Sequence, residues 1–121
     1  MSKPTIAILG ASSNRSKFSN RAVRTYLAHG YDVYPVHPKH EQIEGLKVYR
    51  SISEIPVALD RVSFYVGPNL GLQVIEEVAQ KGAKEVWLNP GSESEELIQK
   101  AEKLGLKVVV ACSMTDVESG S

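Results

Sequence analysis

Thr5-Ile6-Ala7-Ile8-Leu9-Gly10-Ala11-Ser12-Ser13 is the stretch on which the fold turns. Five consecutive strand-forming residues without polar alternation suit a strand covered on both faces, the pattern of a parallel sheet. A polar loop from Gly10 to about Lys17 follows. Beyond it Ala22, Val23, Tyr26 and Leu27 recur at helical spacing over about residues 19–29, and Gly30 fits the position just past the helix end.

That strand–loop–helix–glycine unit repeats along the chain. Residues 31–36 read as a second strand, ending in Pro35-Val36-His37-Pro38. Lys47-Val48-Tyr49 reads as a short edge strand, and Ser51-x-x-Glu54 as a capping box on a brief helical turn. Residues 61–66 give another strand. A helix over about 69–81 follows, with Val74, Ile75, Val78 and Ala79 inward and Gly82 closing it. Then come a strand at 85–88, the turn Asn89-Pro90-Gly91, a helix opened by Ser92-x-x-Glu95 and running to Leu104, and a last strand at 107–110. Residues 113–121 read as a loose polar tail. Right-handed crossovers in this order give a single doubly wound, mainly parallel α/β sheet of Rossmann type, with helices on both faces and the strand order reversing beside the first strand.

Composition narrows the function classes. The 121 residues form one domain large enough to bury a core without disulfides or metal. Fourteen Lys and Arg balance fourteen Asp and Glu. That balance excludes nucleic-acid binding driven by bulk counterion release, so an anionic ligand must be held locally. The longest apolar run in the second half, Val108 to Cys112, is far short of the roughly 20 residues a membrane span needs, and the opening Met1-Ser2-Lys3-Pro4 has no signal-peptide character. One cysteine, Cys112, offers neither a disulfide nor a zinc set, and the three histidines lack ligand spacing; cytoplasmic residence and no metal are expected.

Ligands of such sheets bind outside the carboxyl ends of the strands, at the order reversal. The candidate site is therefore divided among Gly10 to Lys17, His37 to Gly45, Gly67-Pro68 and Asn89 to Ser92. Gly10-Ala11-Ser12-Ser13 stands where backbone amides and a helix N-terminus cradle phosphate. The dinucleotide fingerprint is not met, because Ser12 and Arg15 occupy its second and third glycine places. After the second strand, where a carboxylate would bind a plain ribose, the chain carries His37-Pro38-Lys39-His40, which favours a phosphorylated ribose. NADP and coenzyme A both fit that description.

Gly10-Ala11-Ser12 with Lys17-x-Ser19, Gly30-Tyr31-x-Val33-x-Pro35-Val36-x-Pro38, Ile43-x-Gly45 and Trp87-Leu88-x-Pro90-Gly91 together resemble the small stand-alone coenzyme A-binding domain family, related to the N-terminal domain of the succinyl-CoA synthetase alpha subunit. The resemblance runs from Ile6 to Cys112. His37 replaces the family's asparagine and Asn89 its glutamine. It implies that Gly10, Ala11 and Ser12, with Ser13 and Lys17 nearby, contact the phosphates of coenzyme A or an acyl-CoA. By the same resemblance Pro35, Val36, His37 and Pro38, and Val66-Gly67-Pro68, border the adenosine, with Asn89, Pro90 and Gly91 at the site's margin. Such a phosphorylated ligand calls for charge-assisted donors, for which Arg15, Lys17 and Lys39 are candidates. Each has an ordinary alternative: Gly10 as a tight turn, the cations as solvated surface, the prolines as strand stops. Cys112 reads as a buried inert thiol.

Succinyl-CoA synthetases use a phosphorylated histidine from a second domain, so the resemblance implies binding without catalysis by this chain. A homo-oligomer and a separate enzyme subunit stay open as partners. The alternative reading is an NADP-dependent oxidoreductase or redox-sensing domain.

Overall fold

The computed structural model describes residues 3–119. Its main sheet holds β1 (Thr5–Leu9), β2 (Asp32–Val36), β5 (Leu59–Phe64), β6 (Ala83–Leu88) and β7 (Val108–Val110), all parallel, in the order β2-β1-β5-β6-β7. The chain steps outward from β1 to β2 and then crosses back to β5 on β1's other side. The reversal thus lies between β1 and β5, as the sequence predicts.

Residues of β1 alternate between two cores. Ala7 and Leu9 join Val62, Phe64, Val86 and Leu88 on the face covered by α2 (Pro68–Lys81) and α3 (Glu95–Lys103), where Ile75, Val78, Leu97 and Ala101 are buried. Ile6 and Ile8 face α1 (Phe18–Ala28) and α4 (Ser113–Glu118), which bury Ala22, Val23, Tyr26, Met114 and Val117. Each fully buried large side chain contributes roughly 1.5–3 kcal/mol by leaving water. A strand shielded on both faces therefore needs the unbroken apolar run at residues 6–9.

Several local expectations are corrected. Lys47-Val48-Tyr49 is not a ladder strand of the main sheet: β3 (Gln42–Ile43) and β4 (Leu46–Lys47) form a separate antiparallel hairpin, and Tyr49 makes a single parallel bridge to Val36. Pro35 does not stop β2 but lies within it, opposite Ile8. An edge strand tolerates its missing N–H. The Ser51 hydroxyl pairs with Ser53 Oγ at 3.0 Å instead of capping the 3-10 turn at Ile52–Glu54. The third helix is capped by Ser94, whose Oγ accepts the Leu97 N–H at 3.1 Å; Ser92 Oγ instead donates to the Phe64 carbonyl at 3.0 Å.

The stretch read as a loose tail from 113 onward is the helix α4; residues 120 and 121 of that reading, like Met1 and Ser2, lie outside the described residues. A polar lock holds α4. Ser113 Oγ and Ser63 Oγ are 2.7 Å apart, the Ser113 amide donates to Asn89 Oδ1 at 2.9 Å, and Tyr26 donates its hydroxyl proton to the Ser113 carbonyl at 2.9 Å. Arg61 reaches Asp116 at 2.8 Å and Glu85 at 3.1 Å, with its guanidinium 4.7 Å from the centre of the Trp87 ring. Among the described residues, no helix is long and apolar enough to cross a membrane.

Candidate functional site

At the β1/β5 reversal the two strand ends pack hard against one another. Gly10 adopts φ +84°, and a Cβ there would stand 2.7 Å from Val66 Cγ1 and 2.9 Å from the Tyr65 carbonyl oxygen. Its amide and that of Ala11 both donate to the Val36 carbonyl, at 3.1 and 3.2 Å. The glycine is thus demanded by the fold itself, and the first two loop amides are engaged before any ligand arrives. Ser12 Oγ accepts the Asn14 N–H at 3.0 Å, and the Ser12 carbonyl accepts from Asn20 Nδ2 at 2.9 Å. This holds the loop against α1.

Two helix N-termini face this end of the sheet. The first turn of α1, beginning after Lys17, and that of α2, beginning after Gly67 with Pro68 as its first residue, each lack a side-chain cap and an acidic residue among the described residues. Their leading N–H groups and positive dipole ends are what an anion needs.

Between the reversal and α2 opens a cleft of about 440 Å³. Leu9, Gly10, Val36, Ile52, Val66, Leu70 and Val74 give it an apolar body, while His37, Pro38, Arg50, Ser51, Tyr65 and Glu77 supply its remaining walls. Beside it a shallower depression is lined by Ser16, Lys17, Phe18 and Ser19, and again by Tyr65. Tyr65 is the residue the two recesses share. Its hydroxyl is sealed from solvent, and among the described residues no group gives it a hydrogen bond of normal geometry. Burial pushes the phenol up to about 12, offset in part by the nearby Ser113 and Ser63 hydroxyls, which are bonded to each other.

Of the residues read from sequence, Gly10, Val36, His37, Pro38 and Val66 meet in the cleft and Lys17 in the neighbouring depression. Ala11 and Pro35 are buried; Ser13 and Lys39 are exposed. Arg15 has a side chain 68% exposed and lies 3.5 Å from Glu44. Gly67 and Pro68 form the start of α2. Asn89 is turned inward: its Nδ2 donates to Ser63 Oγ at 2.7 Å and to the Phe64 carbonyl at 2.8 Å, so its amide holds the fold together, and Pro90 and Gly91 stand outside the cleft lining with it. Sequence reasoning missed Arg50, Ile52, Tyr65, Leu70 and Glu77. Only Tyr65 carried a signal, by its place near the carboxyl end of the strand predicted over 61–66; the observed β5 ends one residue before it, at Phe64.

Cys112 is also corrected. It is half-buried rather than sealed. Desolvation pushes its thiol up, but hydrogen bonds from Thr115 and the Met114 amide outweigh this and leave it below the ordinary thiol value.

The model of the CoA binding domain family matches residues 4–118. This chain belongs to that family. The alpha subunit of ADP-forming acetate–CoA ligase I from Pyrococcus furiosus is 31% identical over 87% of this chain and 26% of its own length. The chain therefore spans about a quarter of the ligase subunit it matches. A conserved hypothetical protein from the same organism superposes with TM-score 0.85 at 39% identity, over 93% of this chain and 98% of that one. A dinucleotide-forming acetyl-coenzyme A synthetase from Candidatus Korarchaeum cryptofilum, solved with phosphate and ADP, gives TM-score 0.77 at 30% identity over 88% of this chain and 25% of that one. Family membership and the α/β fold with its reversal at β1/β5 agree with the sequence reading, and the family is described as a CoA binding domain.

Proposed function

We propose that this chain binds coenzyme A or an acyl-CoA in the cleft at the β1/β5 reversal, performs no chemistry of its own, and hands its ligand to, or reports it to, a separate subunit or a second copy. The observation that carries the reading is the apolar cleft of about 440 Å³ flanked by two uncapped helix N-termini in a chain of this family. Such a cleft suits an adenosine body, and the helix ends suit the phosphates attached to it. Because the Gly10 and Ala11 amides are engaged with Val36, the phosphates would be met by the amides of Ser12 and Ser13, the first turn of α1, and the Lys17 ammonium. His37, Pro38 and Val66 would border the adenosine. Two of the relatives named above, a ligase subunit and a synthetase, carry coenzyme A in their names, and the NADP reading gains nothing from them. A single cysteine accords with a reducing compartment such as the cytoplasm.

Calorimetric titration with coenzyme A, dephospho-coenzyme A, NADP and NAD tests the reading. Saturable heat with coenzyme A is expected. A ligand at 100 times its dissociation constant also raises stability by about 2.7 kcal/mol, visible as a melting shift. Response to NADP alone, or to none of the four, overturns the assignment.

A further inference from the structure

The loop leaving β2 holds a histidine pair whose geometry goes beyond supplying positive charge. His37 Nδ1 accepts the Lys39 backbone N–H at 3.0 Å, closing a turn across Pro38 in the way an Asx side-chain oxygen does. A nitrogen that accepts an N–H carries no proton, so the proton of the neutral ring sits on Nε2. The ring lies against His40, with centroids 4.3 Å apart and planes tilted by 44°, and it lines the cleft.

Resting on the coenzyme A reading of the cleft, we propose that His37 serves the ligand as a neutral Nε2–H donor held by its own turn, and that protonating it opens the turn and weakens binding. Protonation would place a hydrogen on Nδ1 directly opposite the Lys39 N–H, replacing an attraction with a clash. The surroundings oppose it as well. His40 and Lys39 act on the ring from its own loop and Lys17 from the start of α1; Arg50, in the segment after β4, and Glu77 on α2 line the same cleft with opposite charges, and Tyr65 is its other titratable group. Desolvation first, then His40, Lys39 and Lys17, hold the ring's affinity for a proton below that of a free histidine.

The sign separates this from a cationic clamp. A group that must be neutral loses affinity as pH falls through its titration, whereas a cationic clamp gains it. Dephospho-coenzyme A is the cleaner probe, because its remaining phosphates hold their charge over this range. We expect its affinity to fall on the order of threefold between pH 7.5 and 5.5. His37→Asn, whose amide oxygen can accept the same N–H but whose side chain has no donor at the Nε2 position, should bind more weakly than the parent at pH 7.5 and show no pH dependence; His37→Ala, which loses the turn as well, should bind more weakly still at both pH values. Nitrogen-15 spectra of the unliganded protein should show the Nε2–H tautomer at pH 7. The Nδ1–H tautomer, or His37-dependent tightening in acid, overturns this inference while leaving the coenzyme reading intact. Absence of binding at every pH, by contrast, removes both.

Discussion

Gly10 and Val66 touch so closely that the space for a Cβ on Gly10 is already filled by Val66 Cγ1, 2.7 Å away. Because φ at Gly10 is also +84°, an alanine there meets both backbone strain and a clash. Gly10→Ala should cost about 2–4 kcal/mol in urea unfolding. Adding Val66→Ala should recover only part of that, since the Tyr65 carbonyl remains 2.9 Å from the new methyl. A change of less than 1 kcal/mol would show that the reversal relaxes freely.

Tyr65→Phe removes a hydroxyl that is buried without a good partner. Such a group carries its full desolvation penalty, so the variant should be equal to or more stable than the parent by up to about 2 kcal/mol, with a higher Tm. Destabilisation by more than 1 kcal/mol would mean the hydroxyl bonds the Ser63–Ser113 pair after all.

The sequence made the parallel sheet legible because strands shielded on both faces must be continuously apolar, as 6–9 and 86–88 are, and because Gly82 at positive φ marks a helix end. It hid α4. Ser113-Met114-Thr115-Asp116-Val117-Glu118 offers two apolar residues in six, too few for a period, and its order comes from Asn89, Ser63, Tyr26 and Arg61, all distant in sequence. The cleft was half legible. Residues after strands at the reversal follow from topology, whereas Arg50, Ile52 and Glu77 reach it through an irregular segment and a helix face that no spacing rule assigns.

Asn89 tests that hidden lock. Its amide bonds Ser63, the Phe64 carbonyl and the Ser113 N–H. Asn89→Ala leaves buried partners unpaired and should cost about 2–4 kcal/mol. Amides of α4 should exchange with deuterium sooner than those of α1. If α4 stays as protected as in the parent, Asn89 does not hold it.

Acid should weaken the fold partly through Asp60. The Thr5 backbone N–H, at 2.8 Å, holds this carboxyl below the usual range against a smaller opposing desolvation, with help from Lys84. A carboxyl depressed in the folded state contributes stability that is complete above its unfolded value near 4 and is lost as pH falls through the lower folded one. Asp60→Asn should therefore be less stable at pH 7, with the gap closing below about pH 4. A gap that persists unchanged at pH 2.5 would assign the loss to packing.

Lys17 separates ligand electrostatics from fold. Its side chain is exposed at the entry to α1 and lines the depression beside Tyr65, so its removal should change the unfolding free energy by no more than about 0.5 kcal/mol. If its ammonium meets a coenzyme A phosphate, Lys17→Ala weakens binding by about 1–3 kcal/mol. That loss should shrink as salt rises, because an exposed charge pair is screened over a Debye length of about 10 Å at 0.1 M. Repeating the titration with dephospho-coenzyme A identifies the phosphate. A penalty that vanishes points to the 3′-phosphate; one that survives points to the diphosphate at the start of α1. Equal affinities of parent and variant for both ligands would leave the helix amides as the phosphate donors and take Lys17 out of the site.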